Sequence, residues 1–99
     1  MDQKQAIALV RQYKEAIEGL FDNPKVYLYG SYSKGTATPD SDIDVAIVIH
    51  ELKSDWFSMM PQLWSATRKV STLLEPMLLE DAHPSPLYDD VMRSGIAIA

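Results

Sequence analysis

No cysteine occurs among the 99 residues, which excludes disulfides, thiolate nucleophiles and zinc–thiolate centres together. That fits a reducing compartment, and a cytoplasmic location is expected. No apolar run approaches the roughly 20 residues needed to cross a bilayer, so no membrane association is expected. The polar opening, Met1-Asp2-Gln3-Lys4-Gln5, leads into a helical pattern and predicts no signal peptide. Positive charge is scarce: 9 Lys and Arg stand against 14 Asp and Glu, for a net charge of −5. The electrostatic footprint of a nucleic-acid binder is therefore missing, and direct nucleic-acid binding is not expected. A polyphosphate can still bind where metal ions supply the positive charge, so the balance points to a metal–nucleotide or a protein partner. The two histidines, His50 and His83, lack spaced partners for a metal site.

What is present is a folding chain. Apolar residues make up 46% of it, enough for a real core in one domain spanning residues 1–99. Asp2 can cap a helix running to about Leu20, with Ile7, Val10, Ile17, Leu20 and Phe21 as its apolar stripe. Lys25 to Tyr29 reads as a strand, Ser31 to Thr36 as a short helical turn and Ala37 to Ser41 as a loop. Asp42 to Ile49 is a second strand, and its unbroken apolar end predicts a central position covered on both faces. Trp56 to Met60 suggests one helical turn, with Pro61 opening a separate helix to about Val70 that buries Leu63, Trp64, Thr67 and Val70. Leu73 to Leu79 is a third strand, placed at an edge or bulge by Pro76. Pro86 to Arg93 is a last helix ended by Ser94-Gly95, and Ile96 to Ile98 can add a short strand. The expected fold is α/β: a small mixed sheet of three or four strands packed with about four helices.

One stretch carries chemistry. Gly30-Ser31 ends the first strand, and Asp42-Ile43-Asp44 opens the second ten residues later. Residues two apart on a strand share a face, roughly 6.5–7 Å apart, so Asp42 and Asp44 can present two carboxylates side by side. Such a pair is costly without positive charge between its members, and hard divalent cations with phosphate oxygens answer that need. Gly30 leaves room for a phosphate to approach, Ser31 offers a hydroxyl and an N–H, and Lys34 can add a charge. Glu75, a charge inside an apolar strand, is the candidate third carboxylate. Trp56, Met59, Met60 and Trp64 read as core or partner-facing residues, and Tyr27 and Tyr29 as packing residues.

Gly30-Ser31, ten residues, then Asp42-Ile43-Asp44 resembles the signature of the minimal nucleotidyltransferases of the DNA polymerase β superfamily. The resemblance runs from the leading helix to Ile96-Ala97-Ile98. Within that superfamily the chain looks most like the MNT-type antitoxins encoded beside HEPN-domain toxins. The resemblance implies that Asp42, Asp44 and Glu75 bind two Mg²⁺ ions and act in catalysis, while Gly30 and Ser31, with Lys34 beside them, hold the triphosphate of ATP. The third position is usually aspartate in that family, so Glu75 is a departure. The implied reaction transfers AMP from ATP to a hydroxyl, a tyrosine of a HEPN ribonuclease in the antitoxin family, with pyrophosphate leaving.

About 99 residues build the catalytic layer and little else, so the acceptor site is expected to come from a partner or a second copy. Two other readings fit the same residues. One is a non-catalytic antitoxin that neutralises by occlusion. The other is an enzyme acting on a small molecule through a homodimer cleft.

Overall fold

The computed structural model describes residues 1–99. In chain order the elements are α1 (Gln3–Ala16), β1 (Lys25–Tyr29), α2 (Ser31–Lys34), β2 (Ile43–Ile49), α3 (Trp56–Thr67), β3 (Leu74–Glu80), α4 (Pro86–Ser94) and β4 (Ile96–Ile98). The sheet has the order β3-β2-β1-β4. β1 pairs antiparallel with both β2 and β4, while β2 and β3, joined through the α3 crossover, run parallel.

Local chemistry sets the boundaries. Asp2 caps α1 through a reciprocal box: its Oδ1 accepts from the Gln5 N–H at 2.8 Å, and Gln5 Oε1 accepts from the Asp2 N–H at 2.9 Å. The helix stops at Ala16, short of the expected Leu20, and Gly19 at φ 90° turns the chain in a conformation that glycine adopts without strain. Leu20 and Phe21 still pack against the core from the turn. Ser85 accepts from the Tyr88 N–H at 3.1 Å to start α4, with Pro86 in the first turn.

Two expectations about α3 need correcting. The turn at Trp56 and the helix from Pro61 are one continuous helix with Pro61 inside it. Pro61 and Phe57, the residue whose carbonyl loses its intrahelical partner, are both exposed, so water can take the place of the missing N–H. Trp64 is exposed rather than core, and Met59 and Ala66 take inward places beside Leu63 and Thr67.

The strand expectations hold with shifts of one residue. β2 is central and buried almost throughout, although its ladder starts at Ile43 rather than Asp42. β3 is an edge strand and contains Pro76. The bonds flanking the β2–β3 ladder are Ile43 N–H to Leu73 O and Asp81 N–H to Ile49 O. Both use odd-numbered residues of the β3 side, so the alternation of the ladder points the nitrogen of Pro76 away from β2. The missing donor costs the sheet nothing.

The sheet has two unequal faces. On one, Val26, Leu28, Ile43, Val45, Ile47, Leu74 and Leu78 pack under α1 and α3. On the other, Tyr29, Ala46, Val48 and Leu79 meet Val91 of α4, with Tyr27, Met77 and Tyr88 partly buried at the margin. A fully buried aliphatic side chain contributes about 1.5–3 kcal/mol, so the first face carries most of the stability.

Two buried tyrosines differ in a testable way. Tyr13 donates its hydroxyl to the Leu63 carbonyl at 2.9 Å and ties α1 to α3, while the buried hydroxyl of Tyr32 in α2 has no partner. Tyr13→Phe should therefore destabilise the protein by about 1–2 kcal/mol, and Tyr32→Phe should be neutral or stabilising. Equilibrium denaturation of the two variants checks the contrast.

Candidate active site

The register of the sheet assembles the site. Tyr29 of β1 lies opposite Asp44 of β2, and Asp44 lies opposite Glu75 of β3. The three side chains therefore share the face that α4 covers only in part. Asp42 stands exposed just before β2, Asp44 is half-buried and Glu75 is exposed.

The carboxylates act on one another. Burial raises the Asp44 carboxyl above its ordinary value; a hydrogen bond from Glu75 opposes this, and the charge of Asp42 adds to it. Glu75, although exposed, is also raised, first by desolvation and then by the charges and hydrogen bonds of Asp42 and Asp44. The three are not drawn around one point as a closed metal cage. None of the four ion pairs in the molecule reaches them.

Gly30 follows Tyr29 directly and lies against the same cluster. A Cβ placed on Gly30 would collide with Oδ2 of Asp44 and come within 3.0 Å of its Cγ. Its φ of 74° with ψ of −147° is open only to glycine. Gly30 thus turns β1 into α2 while its bare backbone closes on the carboxylate. The turn is tied by Ser33 Oγ and the Lys34 N–H, which both donate to the Gly30 carbonyl, at 2.9 and 3.1 Å. Ser31, half-buried, opens α2 beside it.

Lys34 is held at the margin. Its Nζ lies 3.8 Å from Asp90 Oδ2 and 5.0 Å from the centre of the Tyr29 ring. Tyr29 donates its hydroxyl to Asp90, and Arg93 donates to the same carboxylate at 3.2 Å. The Tyr29 and Arg93 hydrogen bonds hold the Asp90 carboxyl below its ordinary value, and the same contact with Asp90 raises the Tyr29 hydroxyl. The sequence marks Tyr29 only as packing and gives no sign of Asp90. A β1–β2 connection of more than ten residues hides the register that sets Tyr29 beside Asp44.

A cavity of about 440 Å³ opens elsewhere, between Gly19–Asp22 and the segment Ile49–Ser54. It lies at the far end of β2, about 17 Å from Asp44 along the strand. It has no connection with the carboxylates.

With this geometry in place, residues 10–91 match the family model described as a nucleotidyltransferase domain. The chain belongs to that family. It is a minimal nucleotidyltransferase of the polymerase β type, and its α/β fold is that of its relatives. A curated Methanocaldococcus jannaschii protein, provisionally named a protein adenylyltransferase, is 22% identical over 96 residues, covering 93% of this chain and 97% of the relative. A crystal structure of a provisionally named nucleotidyltransferase from Sulfolobus solfataricus has a TM-score of 0.68 at 22% identity, covering 96% of this chain and 80% of that one. A crystal structure of a toxin–antitoxin with AMP-PNP has a TM-score of 0.54, also at 22% identity, covering all of this chain (100%) and 73% of that one. No helix is long and apolar enough to cross a membrane.

The raised carboxyls of this nucleotidyltransferase make a stability prediction. Because Asp44 and Glu75 hold protons more tightly folded than unfolded, their favourable contribution is complete below ordinary carboxyl values and lost as pH rises through the raised ones. In metal-free buffer at neutral pH, Asp44→Asn should therefore raise Tm by a few degrees over wild type. The gain should shrink as pH falls towards the ordinary aspartate value of 3.8. Thermal scans in chelator across that range measure it.

Proposed function

We propose that this nucleotidyltransferase transfers AMP from ATP to a hydroxyl of a partner toxin, a HEPN ribonuclease tyrosine by family resemblance, and thereby neutralises it. The placing of Asp44 and Glu75 side by side on one face, with Asp42 just before them and the bare backbone of Gly30 against Asp44, carries this reading. The name of the archaeal relative and the likeness to a toxin–antitoxin structure with AMP-PNP support it.

Neighbouring carboxylates, two of them raised first by desolvation and then by the charge of Asp42, with no ion pair among them, suit divalent cations. An open cluster suits Mg²⁺ in particular, since that ion takes a few carboxylates and completes its shell from phosphates and water. Asp42 and Asp44 would hold two ions, with Glu75 as the third carboxylate. When bound, such ions neutralise the charge of the triphosphate and of the in-line displacement.

The chain's own groups do the rest. Gly30 admits a phosphate close to the backbone, and the Ser31 hydroxyl and N–H donate to phosphate oxygens. Lys34, once released from Asp90, adds positive charge. The acceptor hydroxyl oxygen bonds to the α-phosphorus, the bond from that phosphorus to the bridging oxygen breaks, and pyrophosphate leaves. Glu75, standing where the third carboxylate of the family falls, takes the hydroxyl proton.

Incubation with labelled ATP, Mg²⁺ and the toxin encoded nearby should place label in the toxin. Asp44→Ala should cut that labelling by about a hundredfold or more. Undiminished neutralisation by the Asp42→Ala/Asp44→Ala double variant would sink catalysis as the mechanism. In thermal shift, Mg²⁺ with a non-hydrolysable ATP analogue should stabilise wild type and leave Asp44→Ala unmoved.

A further inference from the structure

The outer side of α3 has a composition unlike the rest of the chain. From Trp56 to Thr67 there is no charged residue, in a protein that is 23% charged with a net charge of −5. The helix nevertheless exposes Phe57 at 83%, Trp64 at 45% and Trp56 at 42%. Met59, Leu63, Ala66 and Thr67 point into the core. Beside them runs a second stripe at i, i+3, i+4 and i+7: Phe57, Met60, Pro61 and Trp64. Met60 is half-buried, and Pro61 is exposed.

That stripe is self-complementary. Reversed end for end about the midpoint between Met60 and Pro61, it sets Phe57 on Trp64 and Met60 on Pro61. Two antiparallel copies therefore stack aromatic on aromatic at both ends of the contact. Arg68, 11 residues after Phe57, continues the line of the stripe beyond the end of the helix, so charge enters only at the margin of the contact. Two molecules of net charge −5 repel over most approaches, and the uncharged α3 face is where they can meet without that cost.

We propose that the Phe57–Trp64 stripe of α3 is the seat of a second copy of this chain, in an antiparallel two-fold pair. α3 packs on the sheet face opposite to the one that carries Asp44 and Glu75. The pair therefore leaves both carboxylate sites facing outward, each free for its own acceptor. The inference does not depend on which acceptor the enzyme modifies. A single helix of 12 residues covers less than the roughly 800 Å² per partner of a standard stable interface, so the pair should form reversibly and at high concentration.

Sedimentation velocity over a series from micromolar to several hundred micromolar should show mass rising from 11.1 kDa towards twice that value. Trp64→Glu and Phe57→Glu should each abolish the rise. Both positions are exposed, and circular dichroism checks that the fold survives. The absence of native cysteine permits a second, independent measurement. Pro61→Cys, near the axis, should oxidise to a disulfide-linked dimer, while Gln62→Cys, round the helix from the stripe, should stay monomeric. A protein that remains monomeric across the series, or a dimer that survives Trp64→Glu without cross-linking through Pro61→Cys, overturns the proposal.

Discussion

The confinement of Asp42, Asp44 and Glu75 to one face of the sheet is the constraint on which the rest of the structure depends. Left to themselves, three carboxylates would separate. The parallel ladder from Ile43 and Leu74 to Ile49 and Glu80 prevents it, because a slip of one residue would turn Ile43, Val45 and Ile47 out of the core. Apolar burial under α1 and α3 thus holds together charges on the opposite face.

The same face holds a second acidic centre of opposite character. Asp90 receives hydrogen bonds from Tyr29 and Arg93 and has the Lys34 amine nearby, and its carboxyl is held low. Asp44 and Glu75 have no such neighbours, and theirs are held high. Tyr29 stands between the two groups, opposite Asp44 in register and bonded to Asp90 by its hydroxyl. Basic side chains are therefore kept off the carboxylates by a competing acid, not by distance along the chain.

Much of this was legible in the sequence because strand chemistry is local. The order of elements, the central position of β2, the edge position of β3, the Asp2 cap and the Gly-Ser turn all follow from residues within a few positions of one another. The pairing of Glu75 with Asp44 could be anticipated only as a charge in need of a reason. What escaped detection was tertiary. Pro61 read as the start of a helix, yet solvent exposure lets it sit inside one. Trp64 carried core composition but faces water. Asp90 reaches the site only because α4 folds back over the sheet, a return that no spacing in the chain encodes.

Pro76 has a consequence beyond its tolerance in β3. An edge strand offers its outward backbone groups to any extended segment that comes by, the usual route to strand addition and aggregation. With the nitrogen of Pro76 turned outward, that row of donors is interrupted immediately beside Glu75. The opposite edge, β4, is only three residues long. Neither border of the sheet invites another strand. Backbone pairing beside Glu75 is thereby disfavoured, and its exposed side chain is left at the margin of the sheet.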